Sequence, residues 1–369
     1  MDFQLSDEQE MLRDTTRDLL SRTYDPETRI KTIDTELGWS REVWGQLAEI
    51  GILGLGFDPD ESGPIEIMVV QTEFGRRLAP EPVLHAALAP GGLIARHGSA
   101  AQQDLLDEVA GGQRLLAFAH LEPGHRKPSA TVTTHAVPEG DSWVLRGRKN
   151  PVLAGDCADT LVVSASLADG GTGLFLVDAA NTTRRPFPTF DGQRGAQIEF
   201  DDTPAAPLGD TAGDASAAIL DTIVRIQSAL CAEATGAMEE ALRLTSDYLK
   251  TRKQFGVTLN NFQALTQRAA DMYVSLELAR SMNLYAAASI ADGNVDPVIA
   301  SRAKLQIGRS GKHIGLEAIQ LHGGIGVTAE YPISHYTARL TAIENTLGSS
   351  LDHVQILSKH ITDYDLVRL

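Results

Sequence analysis

A chain of 369 residues exceeds the size at which one hydrophobic core stops growing, so two or three subdomains are expected. An apolar fraction of 43% with 22% charged residues suits a folded soluble protein, and a net charge of −17 disfavours nucleic-acid backbones and anionic lipid as partners. Any anionic cofactor must therefore meet a local cluster of Arg and Lys.

The opening "MDFQLSDEQEML" is acidic and polar, unlike a secretion signal. No apolar run approaches the ~20 residues that span a bilayer. Cys157 and Cys231 make neither a disulfide framework nor a metal site, and Cys231 lies in an apolar helical run as a small core residue. A reducing cytoplasm is the expected compartment.

Residues 1–115 read as an N-terminal helical domain. Ser6 and Gln9 fit a capping box, and Met11, Leu12, Thr15, Leu19 and Leu20 follow at helical spacing. Trp39, Val43, Trp44, Leu47 and Ile50 predict a second helix, stopped by Gly51. Residues 116–212 change to short β-branched runs such as "TLVVSAS" and "GLFLVDA", separated by turn clusters. That spacing, with no helical period between, predicts an antiparallel β domain.

The helical period returns over 213–369 in longer elements. One runs from about Ala215 to Lys250. Another begins near Asn260, where Asn260 and Gln263 can cap it. A third starts at Asp296-Pro297 and ends at Gly323 and Gly324. Long amphipathic helices joined by short loops predict a four-helix bundle, so the fold class is α+β.

Two segments carry chemistry. In "YLKTRKQFGVTLNNFQAL", Arg252 can fork two hydrogen bonds onto a pyrophosphate, and Phe255 can lie against apolar rings. The bland alternative is a helix C-terminus with its usual cations and glycine. In "AIQLHGGIGVTAEYPISHY", adjacent glycines let a backbone approach a ligand and turn amides toward an anion. The alternative there is a plain glycine cap; His322 is a hydrogen-bond donor candidate, with a local backbone partner as its bland alternative.

In order, spacing and flanks, "RKQFG", "FQALTQRAADM", "ELAR" and "QLHGGIGVTAEYP" resemble the acyl-CoA dehydrogenase family of flavoenzymes over essentially the full length. The runs "YLKTRKQFGV" and "HGGIG…EY…HY…RLT" look closest to small subunits labelled pimeloyl-CoA dehydrogenase. The resemblance implies FAD held between two subunits of a tetramer. It implies an oxidoreductase that removes an α-proton from an acyl-CoA thioester with a carboxylate base while a β-hydride leaves to the flavin. The product is a trans-2-enoyl-CoA, and electrons pass to an electron-transfer flavoprotein.

Carried over position by position, Arg252, Gln254 and Phe255 match contacts to the ADP and pyrophosphate of a neighbour's FAD. Phe262 and Gln263 match a second pair, and Gln320, Leu321, His322, Gly323 and Gly324 complete that site. The ring half departs from the pattern. Leu121 stands where a flavin-binding Thr is usual, and Pro151-Val152-Leu153 where Trp-x-Thr covers the isoalloxazine.

The base is also missing. In "TAIENTLGSS" the usual Glu-Gly pair aligns with Leu347-Gly348, and the alternative helical position falls near Ile226. Glu344 is three residues from Leu347, and Glu233 reads as a structural acid facing another helix. Arg126 and Lys127 are weak candidates for holding CoA.

Three readings follow. The first is a subunit of a mixed tetramer, supplying the ADP half of the site while a larger acyl-CoA dehydrogenase subunit supplies the ring pocket and base. The second is a self-sufficient homotetramer with Glu344 as base. The third is a flavin-free structural or regulatory subunit. No Gly-x-Gly-x-x-Gly follows a strand, which argues against a nicotinamide enzyme.

Overall fold

The computed structural model describes residues 4–361 apart from 126, 129, 130 and 141. In chain order the helices are α1 (Asp7–Thr23), α2 (Pro26–Ile33), α3 (Arg41–Glu49), α4 (Pro64–Arg77), α5 (Ala89–His97), α6 (Ala100–Gln103) and α7 (Leu105–Ala110). Seven strands follow: β1 (Leu116–Ala119), β2 (His135–Glu139), β3 (Ser142–Leu153), β4 (Thr160–Ser166), β5 (Thr172–Asp178), β6 (Thr183–Pro188) and β7 (Arg194–Pro207). The last region holds α8 (Ser216–Thr251), the hairpin β8 (Lys253–Gln254) and β9 (Val257–Thr258), then α9 (Gln263–Ala291), α10 (Pro297–His322), α11 (Pro332–Asn345) and α12 (Ser350–Lys359).

Local signals explain most helix ends. Ser6 and Gln9 form the capping box of α1. Ser40 caps α3 by accepting the Val43 amide, and Gly51 ends that segment at φ 78. Asp296 accepts the Val298 amide with Pro297 in the first turn of α10. Asn260 does not cap α9. It sits in a 3-10 turn over Leu259–Asn261, where its side-chain oxygen accepts from the Thr258 hydroxyl at 2.5 Å, and Phe262 takes the cap position without a side-chain bond. The buried stripe of α1 runs through Thr16 and Leu20, while Met11 is exposed.

The chain forms two compact units that do not follow chain order. One gathers residues 30–67 and 80–226. Its sheet follows the order β1-β4-β2-β3-β7-β5, with β6 beside β7, and β4 also pairs with β5, so the pairing path closes on itself. Most ladders are antiparallel, as expected, but β1 runs parallel to β4 from Leu116↔Thr160 to Ala119↔Val163. A parallel pair needs a long connection, and the intervening β2–β3 hairpin supplies it, a relation that local periodicity does not report. Leu145, Val152, Leu161, Val163, Phe175 and Ile198 fill the interior.

The other unit gathers residues 1–29, 68–79 and 227–369. Here α4 crosses α8 at two glycines. A Cβ on Gly75 would come within 1.8 Å of the Glu233 carbonyl, and one on Gly236 within 1.8 Å of the Thr72 carbonyl. Only paired glycines allow two helix backbones to approach this closely. Around that crossing Arg17 binds Glu73 through two bonds of 2.8 and 3.0 Å. Glu233 and Arg339 form a buried two-pronged pair at 2.6 and 2.7 Å, which gives Glu233 the helix-facing structural role expected for it. None of the described helices is long and apolar enough to cross a membrane.

Candidate functional site

Arg252 directly follows α8, and the chain turns back at once through the β8–β9 hairpin, with Lys253↔Thr258 and Gln254↔Val257 paired. The two tip residues, Phe255 and Gly256, both have positive φ, 53° and 84°. Two-residue hairpins favour this geometry because it matches strand twist, but Asn-Gly is the usual occupant. A Phe held left-handed is strained, and strain of this kind concentrates at ligand clamps. Phe255 is 92% exposed, its ring edge-on to Phe262 at 6.1 Å. Arg252, Gln254 and Gln263 are exposed as well.

Helix α10 ends against this segment. His322 is buried, its ring 4.4 Å from the ring of Tyr248, one turn before Arg252, and 5.0 Å from that of Tyr331. The Tyr248–His322 contact therefore brings together the two motifs singled out from the sequence. Gly323 adopts φ 68, ψ −145, which glycine alone visits readily. At both Gly323 and Gly324 a Cβ would meet no atom of this chain. Nothing internal requires Gly324 to be bare, whereas a ligand passing close by would. Gln320 is exposed and Leu321 packs inward.

His322 is a local backbone partner. Its Nδ1 lies 2.8 Å from the Ala318 carbonyl, so Nδ1 carries the proton and donates inward. Burial holds the imidazole below its ordinary pKa, keeping it neutral. Its Nε2 is a buried acceptor with no partner among the described residues. A bound water or a ligand hydroxyl would satisfy it.

The position expected from the motifs to match a carboxylate is aliphatic and held by a hydrogen bond. Leu347 is buried at φ 57, and its carbonyl accepts from the Gln227 side-chain amide at 2.9 Å. Ile226, next to Gln227 on α8, is buried too. Glu344 is occupied elsewhere: its two oxygens accept from the Ser350 amide (2.8 Å) and hydroxyl (3.0 Å), capping α12. Gly308 makes room for that carboxylate, since a Cβ there would sit 1.8 Å from Glu344 Oε2. Nearby, burial pushes the Lys304 amine down to about 8, and its Nζ donates to the Ile343 carbonyl. Burial pushes the Cys231 thiol up to about 12, which leaves it inert.

In the other unit, the segment expected near a flavin ring holds a closed polar network. Lys149 Nζ donates to Glu122 (2.8 Å), the His120 carbonyl (3.0 Å) and the Ser164 hydroxyl (3.1 Å). His120 Nε2 donates to the Pro128 carbonyl at 2.7 Å, so its Nδ1 accepts from Ser164 at 2.9 Å. Burial lowers the His120 imidazole to about 4. Burial alone would raise the Glu122 carboxyl, but bonds from Lys149, Thr133 and Thr134 outweigh it and hold it down to about 2. Val152 is fully buried in the interior, and the Leu121 carbonyl is taken by the Asn150 amide at 2.8 Å.

The residues present thus fit half of a flavin nucleotide. A bare glycine pair, an unsatisfied Nε2 and an exposed Arg suit an adenine diphosphate. Leu121, Pro151 and Val152 offer no stacking plane and no side-chain donor for an isoalloxazine. Sequence reasoning missed His120, Lys149 and Ser164. Ser164 stands out as a polar residue within the apolar run of β4, whereas Lys149 lies in the mixed sequence of β3 and His120 just past β1. Lys127 is exposed, and Arg126 lies outside the described residues.

Family models for the acyl-CoA dehydrogenase N-terminal domain and C-terminal domain match residues 6–113 and 219–362. The chain belongs to the acyl-CoA dehydrogenase family. It is 32% identical to a solved variant of the Tcur3481-Tcur3483 steroid ACAD, with a TM-score of 0.88 over 96% of this chain and 98% of that one. Acyl-CoA dehydrogenase IpdE2 of Mycolicibacterium smegmatis is 29% identical over 97% of this chain and 100% of its own length. Acryloyl-CoA reductase (NADH) of Anaerotignum propionicum is 27% identical over 98% and 96%. The acyl-CoA dehydrogenase fold and its family oxidoreductase class are therefore those read from the motifs, and FAD is the family's cofactor.

Proposed function

We propose that this acyl-CoA dehydrogenase chain works as one component of a mixed tetramer that oxidises an acyl-CoA thioester to its trans-2-enoyl-CoA. It holds the adenine diphosphate half of FAD, and a larger companion of the same family holds the reactive ring and the base. The single observation that carries the reading is the coexistence of a strained, exposed nucleotide arm with an aliphatic Leu347 fixed at the base position.

FAD, when bound, supplies acceptance of the β-hydride. This chain's residues act on the other end. Arg252 binds the diphosphate with a planar fork, the Gly323-Gly324 backbone gives close approach, and His322 Nε2 accepts one hydrogen bond from the nucleotide. Phe255 covers the apolar faces and excludes water. The companion's site, not this one, removes the α-proton. Electrons leave to an electron-transfer flavoprotein.

An exposed apolar stripe on α9, Val274, Leu278 and Tyr285, supports assembly with a second chain. The hyphenated name of the 32% identical steroid ACAD structure suggests this reading. A homotetramer using Glu344 is disfavoured because both Glu344 oxygens cap α12. A flavin-free role leaves the His322 Nε2 without a reason to stay unpaired. Cytoplasmic residence fits two reduced cysteines. The test is Arg252→Ala in the assembled complex: FAD affinity should fall, and unchanged affinity removes this chain from the cofactor site.

A further inference from the structure

Helix α12 is held to its unit by a polar anchor. Of its ten residues only His353 is buried, at 1% exposure, while Leu351, Val354 and Ile356 are exposed. A helix that docks through a single side chain ordinarily buries an aliphatic one, because an imidazole loses water without gaining dispersion in proportion. The partner surface is α10. The two helices lie close where α12 begins: a Cβ on Gly308 would come within 2.5 Å of the Ser350 hydroxyl.

The imidazole has little to bond to. Neither ring nitrogen of His353 makes a well-formed hydrogen bond among the described residues. The Gly348 backbone lies beside it, and a Cβ on Gly348 would sit 3.1 Å from its Nε2. Across on α10 stands the amine of Lys304, also 1% exposed, whose Nζ donates to the Ile343 carbonyl and to no carboxylate among the described residues. The acids around them are engaged. Glu344 of α11 accepts from Ser350, Asp352 of α12 from Ser349, and Glu233 of α8 from Arg339 of α11. A proton on His353 would therefore place a second buried cation near Lys304 with no unengaged acid to meet it.

We propose that α12 is an acid-released latch: protonation of His353 undocks it from α10 and loosens the Leu347–Gly348 turn that leads into it. The docked imidazole is held down to about 4, first by burial and then by Lys304, against the opposing pull of Gly348 and Asp352. Once undocked it returns to its ordinary 6.5. Docking is thus at full strength above 6.5 and weakens as pH falls toward 4. No covalent step is involved, and the inference does not depend on the flavin reading.

The experiment is hydrogen exchange of the full chain, read on α12 peptides, with each rate divided by the intrinsic rate at that pH. From about pH 7.5 to about pH 5 the opening constant of α12 should rise about thirtyfold, as the two imidazole values require. Amides in the middle of α8 and α10 should stay protected. His353→Leu should keep α12 protected at both pH values. Should that variant fail to fold, Lys304→Met decides, since loss of the neighbouring cation must shrink the step. His120→Gln, in the other unit, should leave the α12 step unchanged. Protection of α12 that is independent of pH in the parent overturns the proposal. So does a step that survives His353→Leu or is undiminished in Lys304→Met, or one shared equally by α8 and α10, which would be global acid unfolding.

Discussion

The side-chain amide of Gln227 donates to the backbone carbonyl of Leu347 at 2.9 Å, in a buried setting. That bond ties the loop at Leu347 to the helix residue that directly follows Ile226. Leu347 and Ile226, the two positions expected from the motifs to match a base, are both aliphatic. The loop is held in a left-handed turn, with Leu347 at φ 57 and Gly348 at φ 109. An unsupported Leu does not stay in that conformation without cost.

Gln227→Leu should therefore destabilise the fold. It leaves a buried carbonyl unpaired and frees a strained turn, a loss of about 1–3 kcal/mol. The shift in urea midpoint at constant m-value measures it. A midpoint equal to that of the parent would mean that the bond does not hold the turn.

The Glu233–Arg339 pair makes a larger prediction. Removing one partner of a buried ion pair strands the other charge, at about 3–5 kcal/mol. Glu233→Gln should show that loss in thermal or chemical unfolding, and Glu233→Gln with Arg339→Met should recover part of it. If the single variant unfolds like the parent, the pair is solvated in solution.

Acid should weaken the β-containing unit in two stages. His120 has its folded pKa lowered by burial from 6.5 to about 4, so the unfolded chain binds the extra proton between those values and stability falls as pH drops through that window. Burial would raise Glu122, yet its hydrogen bonds depress it from 4.5 to about 2, so the stability they supply is present above 4.5 and disappears as pH falls toward 2. His120→Gln should erase the upper stage and keep the lower one in a pH series of melting temperatures. A flat upper stage in the parent would contradict the neutral, buried imidazole.

At the hairpin tip, stability and function should separate. Phe255→Asn suits the left-handed position better and removes an exposed ring, so the melting temperature should hold or rise slightly. FAD retention by the assembled complex should fall. A variant that loses stability but keeps flavin would assign Phe255 to the fold instead.

What the sequence made legible was local. The Ser6–Gln9 box, the Asp296-Pro297 start and the Gly323 end of α10 are each set by neighbours within four residues, and each stands where spacing put it. The family motifs are contiguous for the same reason. The Tyr248–His322 contact that joins them, the Gly75–Gly236 crossing and the Lys149–Ser164–His120 relay depend on partners far along the chain, and no periodicity encodes those. Asn260 misled because its side chain bonds to Thr258 rather than to the start of α9.

The central claim is that this chain grips a cofactor whose reactive ring belongs to another polypeptide. Flavin-per-chain stoichiometry tests it most directly, with the chain purified alone and again in complex with the larger family member proposed as its companion. The account predicts essentially no flavin on the isolated chain, and in the complex one FAD for each pair of unlike chains. Full flavin occupancy of the isolated chain, with turnover of an acyl-CoA, would contradict it.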